Sequence, residues 1–568
     1  FMELEALRHS CAHLLASAIK ELYPDAKMAI GPAIEDGFYY DFDNINISEK
    51  DLPKIESKMQ EIANKKLNFE KTLMTRKEAE KFLKDQQYKL ELLKDIPGEK
   101  VQFYKHGNYY DLCKGGHLKN TSEIKAFKLT KIAQAYWKGD SKNKQLTRIY
   151  GTAWTSKDEL NSYLKKLEEA DKRDHRKLGK ELELFMFNEI SPGAPFWLPN
   201  GMIIFKELEK YWREIHDNNG YNEINTPIVV KESLFKKSGH LEHYKENMFP
   251  LNFEKENYYL KPMNCPEATL VYSSKLRSYK DLPIRLSEIG RLFRNELSGA
   301  LGGLFRVRQL TMDDAHIFCT ENQIQEEITN VLSLVNKFYS TFNFKPNFYL
   351  ATRPEKALGD KKIWNIAEKA LENSLKLNKV KYEVKEKDGA FYGPKIDIHI
   401  KDSLNRDWQL ATIQLDFQMP QRFELSYEGK DGKKHTPVMI HRAIFGSFER
   451  FIGILIEHFS GKFPLWLSPV QVIVMNVNQD NLKFSNEVVR KLKENNIRVE
   501  IDDRNESIPR KVRESQLRKI PYAITIGDKE VKNRTLAVRT LDGKVKFDVK
   551  LDSFIKNILK EIRDKEIK

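Results

Sequence analysis

The sequence contains little cysteine and no long apolar run. Only four of its 568 residues are cysteines, too few for a disulfide framework in a chain of this size, so we expect a reducing compartment, the cytoplasm. No run of about 18 apolar residues occurs, and the most apolar segment, residues 444–463, is interrupted by charged side chains. The beginning of the chain also lacks the basic and then apolar pattern of a secretory signal. These absences exclude a disulfide-rich secreted domain and predict that the chain does not span a membrane.

Length and charge indicate several domains and a polyanionic partner. At about 150 residues per domain, 568 residues predict three or four domains. Lysine and arginine together number 96 against 82 aspartates and glutamates, which gives a formal net charge of +14. This balance suits RNA, but a merely lysine-rich composition would also produce it, so charge alone does not decide the function.

Residues 283–318, PIRLSEIGRLFRNELSGALGGLFRVRQLTMDDAHIF, concentrate charge on a predicted hairpin. Alternating apolar residues on both sides of a glycine-containing loop predict strand, loop and strand. The polar side of this hairpin would carry Arg291, Arg294, Glu296, Arg306, Arg308, Asp314 and His316. A half-buried strand pair tolerates that much charge only with a ligand that neutralises it, and guanidinium groups favour phosphate or carboxylate. Surface ion pairs on a solvated hairpin are the alternative.

Two short motifs in the first 120 residues contain metal-ligand residue types. His9 and His13 lie one turn apart on a helix predicted for residues 4–22, whose apolar stripe includes Cys11. Residues 111–117, DLCKGGH, add Cys113 and His117 on a loop. Residue type and spacing alone predict that these four side chains form a zinc site.

The remaining chain divides into helical and strand-like segments. Charged patterns predict helices through residues 51–94 and one long helix over 156–184, and an amphipathic pattern predicts a helix over 202–218. Strands are predicted at 220–230, which carries Pro227, and at 389–395 and 407–417. After Pro469 strands and helices alternate, which predicts a small α/β domain with a mixed sheet.

The segment 292–318, LFRNELSGALGGLFRVRQLTMDDAHIF, resembles the second signature motif of class II aminoacyl-tRNA synthetases. Within that class it is similar to the threonyl-tRNA synthetase family. The resemblance runs from His9 to the last helix, and we expect no counterpart of the small domain that precedes the editing domain in many bacterial members. It implies an α+β multidomain fold. The implied parts are an α+β editing domain at 2–152, a linker helix at 153–184, a class II antiparallel-sheet catalytic domain at 185–466, and an α/β anticodon-binding domain at 467–568.

The resemblance also implies which residues bind ATP and carry out catalysis. Arg294 would contact the amino acid carboxylate and the α-phosphate, Glu296 the adenine amino group, and Arg306 the terminal phosphate. Arg450, in a third class II motif, would stack on adenine, and His240 would accept a proton in aminoacyl transfer. A histidine on a surface loop is the alternative for His240.

A catalytic zinc and an amino acid pocket are implied beside these residues. Cys265, His316 and His441 are too scattered for spacing alone to predict a metal site, but in the resembling family they bind Zn2+. The residues that would line the amino acid pocket are Met263, Asp314, Tyr392, Gln409 and Gln414.

For the first histidine and cysteine cluster, the resemblance implies editing without a metal instead of zinc binding. The residues that would clear mischarged seryl-tRNA are His9, His13, Tyr40, Asp111, Cys113 and His117. The zinc interpretation stays open because the related alanyl editing domain resembles a true zinc site. The residues that would face the anticodon bases are Asn505, Arg513, Glu530 and Arg539, for which helix caps and surface ion pairs are the alternatives.

The resemblance therefore implies a cytoplasmic homodimer that joins threonine to tRNA(Thr), with ATP, Mg2+ and one Zn2+ per chain. The absence of a nucleophilic serine or cysteine motif suits displacement at phosphorus, which needs positioning and charge neutralisation. One alternative is a catalytically inactive, synthetase-like RNA-binding regulator, against which the retained Arg294, Arg306 and Arg450 argue. Another is a zinc hydrolase built on the first cluster, which leaves most of the chain unexplained.

Overall fold

The computed structural model describes residues 2–140 and 142–568. The chain divides into two compact units, Phe1–Glu169 and Ala170–Lys568, and the division falls inside the helix Lys157–Arg173. Within the described residues, no helix combines the length and the apolar character needed to cross a membrane. Each unit combines helices with largely antiparallel sheets, so the α+β fold class is confirmed.

The first unit contains a twisted antiparallel sheet against which its first helix packs. The strands of this sheet, in spatial order, are Lys27–Met28, Gly37–Asp43, Gln145–Trp154 and Ala126–Tyr136, with Ala33–Ile34 paired to Gly37–Asp43. A smaller sheet contains Glu70–Thr75, Lys100–His106 and Tyr109–Leu112. The helices are Met2–Leu22, Leu52–Asn64, Arg76–Phe82 and Gln87–Asp95. Cys11 is fully buried in the apolar stripe of the first helix, as predicted.

The prediction of helices throughout residues 51–94 is wrong in one place. Glu70–Thr75 is an edge strand whose side chains alternate between exposed and half-buried. Charged residues on an edge strand face solvent, as they do on a solvated helix. Composition alone therefore does not distinguish the two elements.

The second unit is organised around an eight-stranded sheet. Its strands, in spatial order, are Asn222–Glu223, Ile284–Phe293, Gln309–Cys319, Val438–Ser447, Asp407–Asp416, Lys395–Lys401, Pro346–Ala351 and Tyr382–Lys385. The two outermost pairings are parallel and the others antiparallel. The predicted hairpin is present, with Ile284 opposite Phe318 and Phe293 opposite Gln309.

Helices and three small sheets surround this central sheet. The helices are His175–Glu181, Pro199–Asp217, Glu232–Ser238, His240–His243, Cys265–Ser273, Ile324–Ser340, Lys361–Leu377, Gln418–Arg422 and Phe448–His458. The small sheets are Phe185–Met186 with Phe196–Trp197, Val229–Lys231 with Glu256–Leu260 and Phe249–Phe253, and Tyr427–Glu428 with Lys434–His435. Apolar side chains of the long helices form one continuous core with the central sheet.

Three predicted elements of this region differ from the structure. The single helix over 156–184 is broken at Asp174, which leaves the helical conformation and accepts a hydrogen bond from the Arg176 amide as an N-cap. The strand over 220–230 is two short strands, because Pro227 has no N–H to pair. Residues 389–394 form a turn, and only Lys395 begins the strand predicted there.

The end of the second unit has the predicted alternation of strands and helices. In spatial order the strands are Val499–Asp502, Val472–Asn476, Tyr522–Ile526, Leu536–Thr540 and Val545–Val549, the first three parallel and the last two antiparallel. The helices are Leu482–Glu494, Ile508–Leu517, Asp528–Asn533 and Leu551–Asp564. The strand Val545–Val549 was not predicted.

Candidate functional site

Three arginine side chains lie close together at the base of the hairpin loop. Arg294 follows the strand Ile284–Phe293 and donates from Nε to the carbonyl of Pro262 at 3.4 Å. Arg450 lies in the first turn of the helix Phe448–His458. Burial, together with the positive charges of Arg294 and Arg306, lowers the pKa of Arg450. This concentration of guanidinium groups favours an anionic ligand, as the sequence predicted.

Glu296 and Arg306, which are predicted to bind opposite ends of ATP, form an ion pair with each other. Arg306 Nη2 lies 2.8 Å from Glu296 Oε2, and Arg306 Nε donates to the same oxygen at 2.9 Å. Arg308 donates from Nε to the carbonyl of Glu296 at 2.9 Å, which fixes the backbone beside it. A phosphate group at Arg306 would therefore compete with this ion pair.

Cys265, His316 and His441 converge although they are far apart in sequence. Cys265 begins the helix Cys265–Ser273, and the two histidines face each other across neighbouring strands. One ligand atom from each side chain lies within 4.8 Å of the others, and all three residues are buried. Two imidazoles and a thiol are ligand types that Zn2+ prefers.

The surroundings of His441 test whether a metal fits here. Nε2 of His441 lies 2.9 Å from Asp416 Oδ2, whereas Nδ1 is buried without a hydrogen-bond partner. A buried ring nitrogen left unpaired costs free energy unless another group uses its lone pair. A carboxylate that orients a histidine through its other nitrogen is the usual arrangement around a metal ligand, so the residues fit Zn2+.

The predicted amino acid pocket adjoins this cluster, with one exception. The Tyr392 ring packs against the His441 ring at a tilt, with centroids 4.9 Å apart, and its hydroxyl donates to Gln414 Oε1. Asp314 is half-buried, and its carboxylate accepts from Asn264 Nδ2 at 2.8 Å. Gln409 is exposed and donates to Asp397 Oδ1 at 2.8 Å, so no described contact joins it to the other pocket residues.

His240 is fully buried, so the alternative of a surface-loop histidine is wrong. Its Nδ1 lies 2.8 Å from Ser238 Oγ, and its Nε2 lies 3.2 Å from Met263 Sδ. Burial lowers the pKa of His240 to about 4, so its imidazole is neutral at pH 7. This places a neutral ring nitrogen beside Met263, at the pocket.

In the first unit, the predicted editing residues form a second compact cluster. His9 and His13 come from the first helix, and Cys113 and His117 from the loop after the strand Tyr109–Leu112. Ligand atoms of all four lie within 4.8 Å of one another. Cys113 Sγ is 3.2 Å from His117 Nε2 and 3.5 Å from His9 Nε2.

Burial keeps this cluster uncharged at neutral pH. It lowers the pKa of His9, lowers that of His13 well below its usual value, and lowers that of His117 to about 3. It also raises the pKa of the Cys113 thiol to about 11. The chain therefore holds three neutral imidazoles and a thiol here, and neutral imidazoles can accept a proton from water.

A buried carboxylate supports one side of the cluster. Asp111 Oδ2 accepts from the Tyr40 hydroxyl at 2.6 Å and lies 3.7 Å from His13 Nε2. Its other oxygen forms an ion pair with Lys89, which is also buried. Lys89 was not predicted to belong to the site, because an isolated lysine in a charged helix carries no signal of burial.

Comparison with known proteins decides the family. The tRNA synthetase class II core domain (G, H, P, S and T) matches residues 249–459, and the second additional domain of threonyl and alanyl tRNA synthetases matches residues 101–150. A threonine–tRNA ligase of Clostridium tetani is 55% identical over 540 residues, which are 94% of this chain and 84% of the relative. One from Acetivibrio thermocellus is 52% identical over 99% of this chain and 89% of the relative. The chain belongs to the threonine–tRNA ligase family.

Solved structures agree with this membership. The RNA binding domain of the threonyl-tRNA synthetase from Cryptosporidium parvum Iowa II is 42% identical, with a TM-score of 0.66, and the match covers 68% of this chain and 97% of that chain. A prolyl-tRNA synthetase of Giardia lamblia, 19% identical with a TM-score of 0.56 over 70% of this chain and 80% of its own, shares the fold. Membership favours the predicted ligase over the inactive regulator and the zinc hydrolase.

An anticodon binding domain matches residues 471–561 of this family member, and the four predicted anticodon residues lie within it. Asn505 and Arg513 are exposed. Glu530 is buried and accepts from the Gly527 amide at 3.0 Å, so it acts as a helix cap in the chain alone. Arg539 donates to the Gly543 carbonyl at 3.0 Å. Asn505 and Arg513 are therefore the more accessible to a base.

Proposed function

We propose that the chain activates threonine with Mg2+-bound ATP and transfers the threonyl group to tRNA(Thr). The proposal rests on two clusters in the second unit. One contains Arg294, Arg306 and Arg450, and the other contains the buried Cys265, His316 and His441. Such a pair of sites binds a polyphosphate beside a small, specifically recognised molecule.

In the first step a carboxylate oxygen of threonine bonds to the α-phosphorus and pyrophosphate leaves. Arg294 and Arg450 neutralise the charge that develops on the α-phosphoryl oxygens, and Arg306 holds the terminal phosphate after releasing Glu296. Glu296 is then free to accept from the adenine amino group. The arginines need little reorganisation during the reaction, because Arg450 is already held by the hydrogen bond from its Nε to the Phe305 carbonyl at 2.9 Å.

Beside the arginines, Cys265, His316 and His441 would hold Zn2+. When bound, the metal supplies Lewis-acid sites that coordinate the amino and hydroxyl groups of threonine. The side chains that line the pocket and exclude water are Met263, Asp314, Tyr392 and Gln414. Gln409 also belongs to the proposed pocket, but it reaches the substrate only after its hydrogen bond to Asp397 breaks.

In the second step a ribose hydroxyl of the tRNA bonds to the threonyl carbonyl carbon and AMP leaves. We assign His240 as the acceptor of the hydroxyl proton, because its imidazole is neutral at pH 7 and its Nε2 contacts only a methionine sulfur. Asn505, Arg513, Glu530 and Arg539 read the anticodon in this proposal.

We further propose that the first unit hydrolyses mischarged seryl-tRNA. There, a neutral imidazole of His9, His13 or His117 takes a proton from the attacking water, and the Lys89–Asp111 pair orients the site. Activity of this kind belongs in the cytoplasm, where tRNA is charged.

We also propose a homodimer through the segment after the helix Pro199–Asp217. Ile228 and Val229 are exposed apolar residues there in the chain alone. Sedimentation equilibrium of the purified chain checks this, since a monomer at micromolar concentration would contradict it.

One experiment tests the proposed activity directly. The purified chain is assayed for exchange between ATP and labelled pyrophosphate with each of the twenty amino acids in turn. Exchange with threonine well above the others supports the proposal, and equal background with every amino acid overturns it.

A further inference from the structure

A buried histidine outside the proposed ATP site contacts the loop that shapes it. His175 begins the short helix His175–Glu181, immediately after the break at Asp174. It is 2% exposed, and both ring nitrogens have partners. Nδ1 lies 2.7 Å from Glu457 Oε1, and the backbone N–H of Leu304 donates to Nε2 at 3.0 Å.

Leu304 and Phe305 connect this histidine to an arginine of the ATP site. The Phe305 ring packs on the His175 ring with centroids 4.1 Å apart. The Phe305 carbonyl accepts from Arg450 Nε at 2.9 Å. The hydrogen bond at Leu304 N–H therefore fixes the Gly303–Leu304 peptide, which is separated by one peptide from the Phe305–Arg306 peptide that holds the Arg450 guanidinium.

The glycine before Leu304 fits tightly against the same imidazole. Gly303 has a φ of +56°, and a Cβ at this position would lie 2.2 Å from His175 Nε2. Any other residue would displace either the loop or the histidine, so the close approach of loop and ring is built into the sequence.

A network of buried polar groups holds the other side of the ring. Glu457 also accepts from the His175 backbone N–H at 2.9 Å and pairs with Arg406. The Phe305 ring also packs on Trp408, with centroids 4.5 Å apart. The imidazole is thus fixed on one side by charge and on the other by the loop.

The same residues are not a metal site. Asp174, His175 and Glu457 offer ligand atoms within 4.8 Å of one another. However, the Leu304 N–H occupies the lone pair of Nε2, and Nδ1 needs its proton to donate to Glu457. A metal would break one of these bonds.

We propose that His175 is a positioning residue for ATP: its Nε2 accepts the Leu304 N–H and so holds the Phe305 carbonyl where it orients Arg450. This inference rests on the proposed function, in which Arg450 binds the nucleotide. His175 itself touches no reacting atom. It acts through the loop.

Two nearly isosteric variants, His175→Gln and His175→Met, separate this role from simple packing. Both lose the imidazole contact with Glu457 and keep the backbone one, and both fill similar space. Only glutamine keeps an oxygen that can accept the Leu304 N–H. Any difference between the two variants therefore reports the loop hydrogen bond.

The measurements are the KM values for ATP and for threonine in pyrophosphate exchange, with thermal unfolding as the control. We expect the KM for ATP in His175→Met to rise about ten- to hundredfold, because a displacement near 1 Å has consequences of that size. His175→Gln should recover most of that loss, and the KM for threonine should change by less than about threefold in both.

Equal KM values for ATP in the two variants, or an equal rise for threonine, would overturn the inference. If neither variant folds, His175→Asn replaces them, because it keeps the contact with Glu457 and removes the acceptor for the Leu304 N–H. A parent-like KM for ATP in His175→Asn would then overturn the inference. Absence of exchange in the parent protein contradicts the proposed function instead, so the two failures are distinguishable.

Discussion

The His441 imidazole and the Asp416 carboxylate lie on neighbouring strands, with Nε2 and Oδ2 2.9 Å apart. The contact places the ring proton on Nε2 and leaves the lone pair on Nδ1, which is buried and has no hydrogen-bond partner. Asp416 is itself fixed, because its other oxygen accepts from the amides of Gln418 and Met419 at 2.7 and 3.0 Å. These contacts leave the Nδ1 lone pair of His441 available to bind a metal ion.

The first prediction is that one zinc ion binds per chain and requires Cys265. Cys265→Ala removes the thiol from a buried set of three ligands, and two imidazoles alone hold Zn2+ weakly. Metal analysis of the purified variant should show the loss of zinc. His9→Ala is the matched control at the other cluster and should leave the zinc content unchanged. Zinc lost in the control and kept in Cys265→Ala would reverse the assignment of the two sites.

The second prediction concerns Asp416→Asn. An amide nitrogen facing His441 Nε2 favours the tautomer with its proton on Nδ1, which blocks the lone pair that a metal needs. Loss of such an orienting carboxylate typically weakens metal affinity about 10- to 100-fold. Competition with a chromophoric chelator measures the affinity. Parent-like affinity in Asp416→Asn would show that the carboxylate has no part in metal binding.

The third prediction is that Arg294→Ala blocks adenylate formation and leaves the fold intact. Arg294 is half-buried at the strand end, and the one described hydrogen bond of its side chain, to the Pro262 carbonyl, is long at 3.4 Å. Removing a charge-assisted contact to the transition state costs on the order of 2.7 to 4 kcal/mol, roughly a hundred- to thousandfold in rate. Pyrophosphate exchange gives the rate and thermal unfolding checks the fold.

A matched control lies near the end of the strand that Arg294 follows. Arg291 is exposed and was predicted on the same polar side, but the proposal gives it no ligand. Arg291→Ala should therefore retain nearly full exchange. Similar losses in both variants would show that the charge of the hairpin as a whole, not Arg294, supports activation.

Local features of the structure could be predicted from the sequence. His9 and His13 share a helix face because neighbours four residues apart always do, and the hairpin follows from alternation around a glycine-containing loop. The convergence of Cys265 with two distant histidines was anticipated only through the family resemblance. No local rule gives a contact between residues so far apart in sequence.

The features that were missed depend on tertiary contacts or on competing local signals. Lys89 pairs with Asp111 only because two separate elements bring them together. The break at Asp174 was overlooked because the charged pattern continues through it, although aspartate is a good N-cap. Gln409 directly precedes a bulge at Leu410, opposite Ile398 and His399, and a bulge changes which face a side chain occupies.

The fourth prediction is a pH-dependent stability set by Glu449. This carboxyl is buried, accepts from the Thr311 amide at 2.8 Å, and has its pKa raised to about 7 by burial. Because the folded pKa lies above the unfolded value of 4.5, the folded state keeps the proton longer, and the stability present below pH 4.5 is lost as pH rises through 7. The loss for one such group is on the order of 3 kcal/mol.

Glu449→Gln tests this, because glutamine keeps an acceptor for Thr311 and cannot ionise. The melting temperature of the variant minus that of the parent should increase from pH 5 to pH 8.5. Calorimetry at several pH values measures it. A difference that stays constant with pH would contradict the assignment to Glu449.

The fifth prediction links the two proposed sites through the size of the substrate. Serine keeps the hydroxyl group of threonine and lacks one methyl, a difference worth only about 1 to 3 kcal/mol, or roughly 10- to 200-fold in selection. Activation alone therefore leaves seryl-tRNA in amounts that a separate hydrolytic site must clear. The imidazoles around Cys113 are neutral at pH 7, and in the proposed function one of them accepts a proton from the attacking water.

Changing His9 and His13 together to Ala should leave threonine charging near the parent rate while seryl-tRNA accumulates. The two imidazoles lie in the first unit, and the arginines and Cys265 lie in the second, so the change removes no side chain of the proposed activation site. Deacylation of preformed seryl-tRNA is measured for parent and variant, with metal content determined in parallel. His106→Ala is the control, because His106 is buried nearby and neither of its ring nitrogens has a hydrogen-bond partner among the described residues. Equal deacylation by parent and double variant would refute the editing assignment. If the double variant also lost a metal ion, the cluster would be a metal site, as its ligand types alone predict.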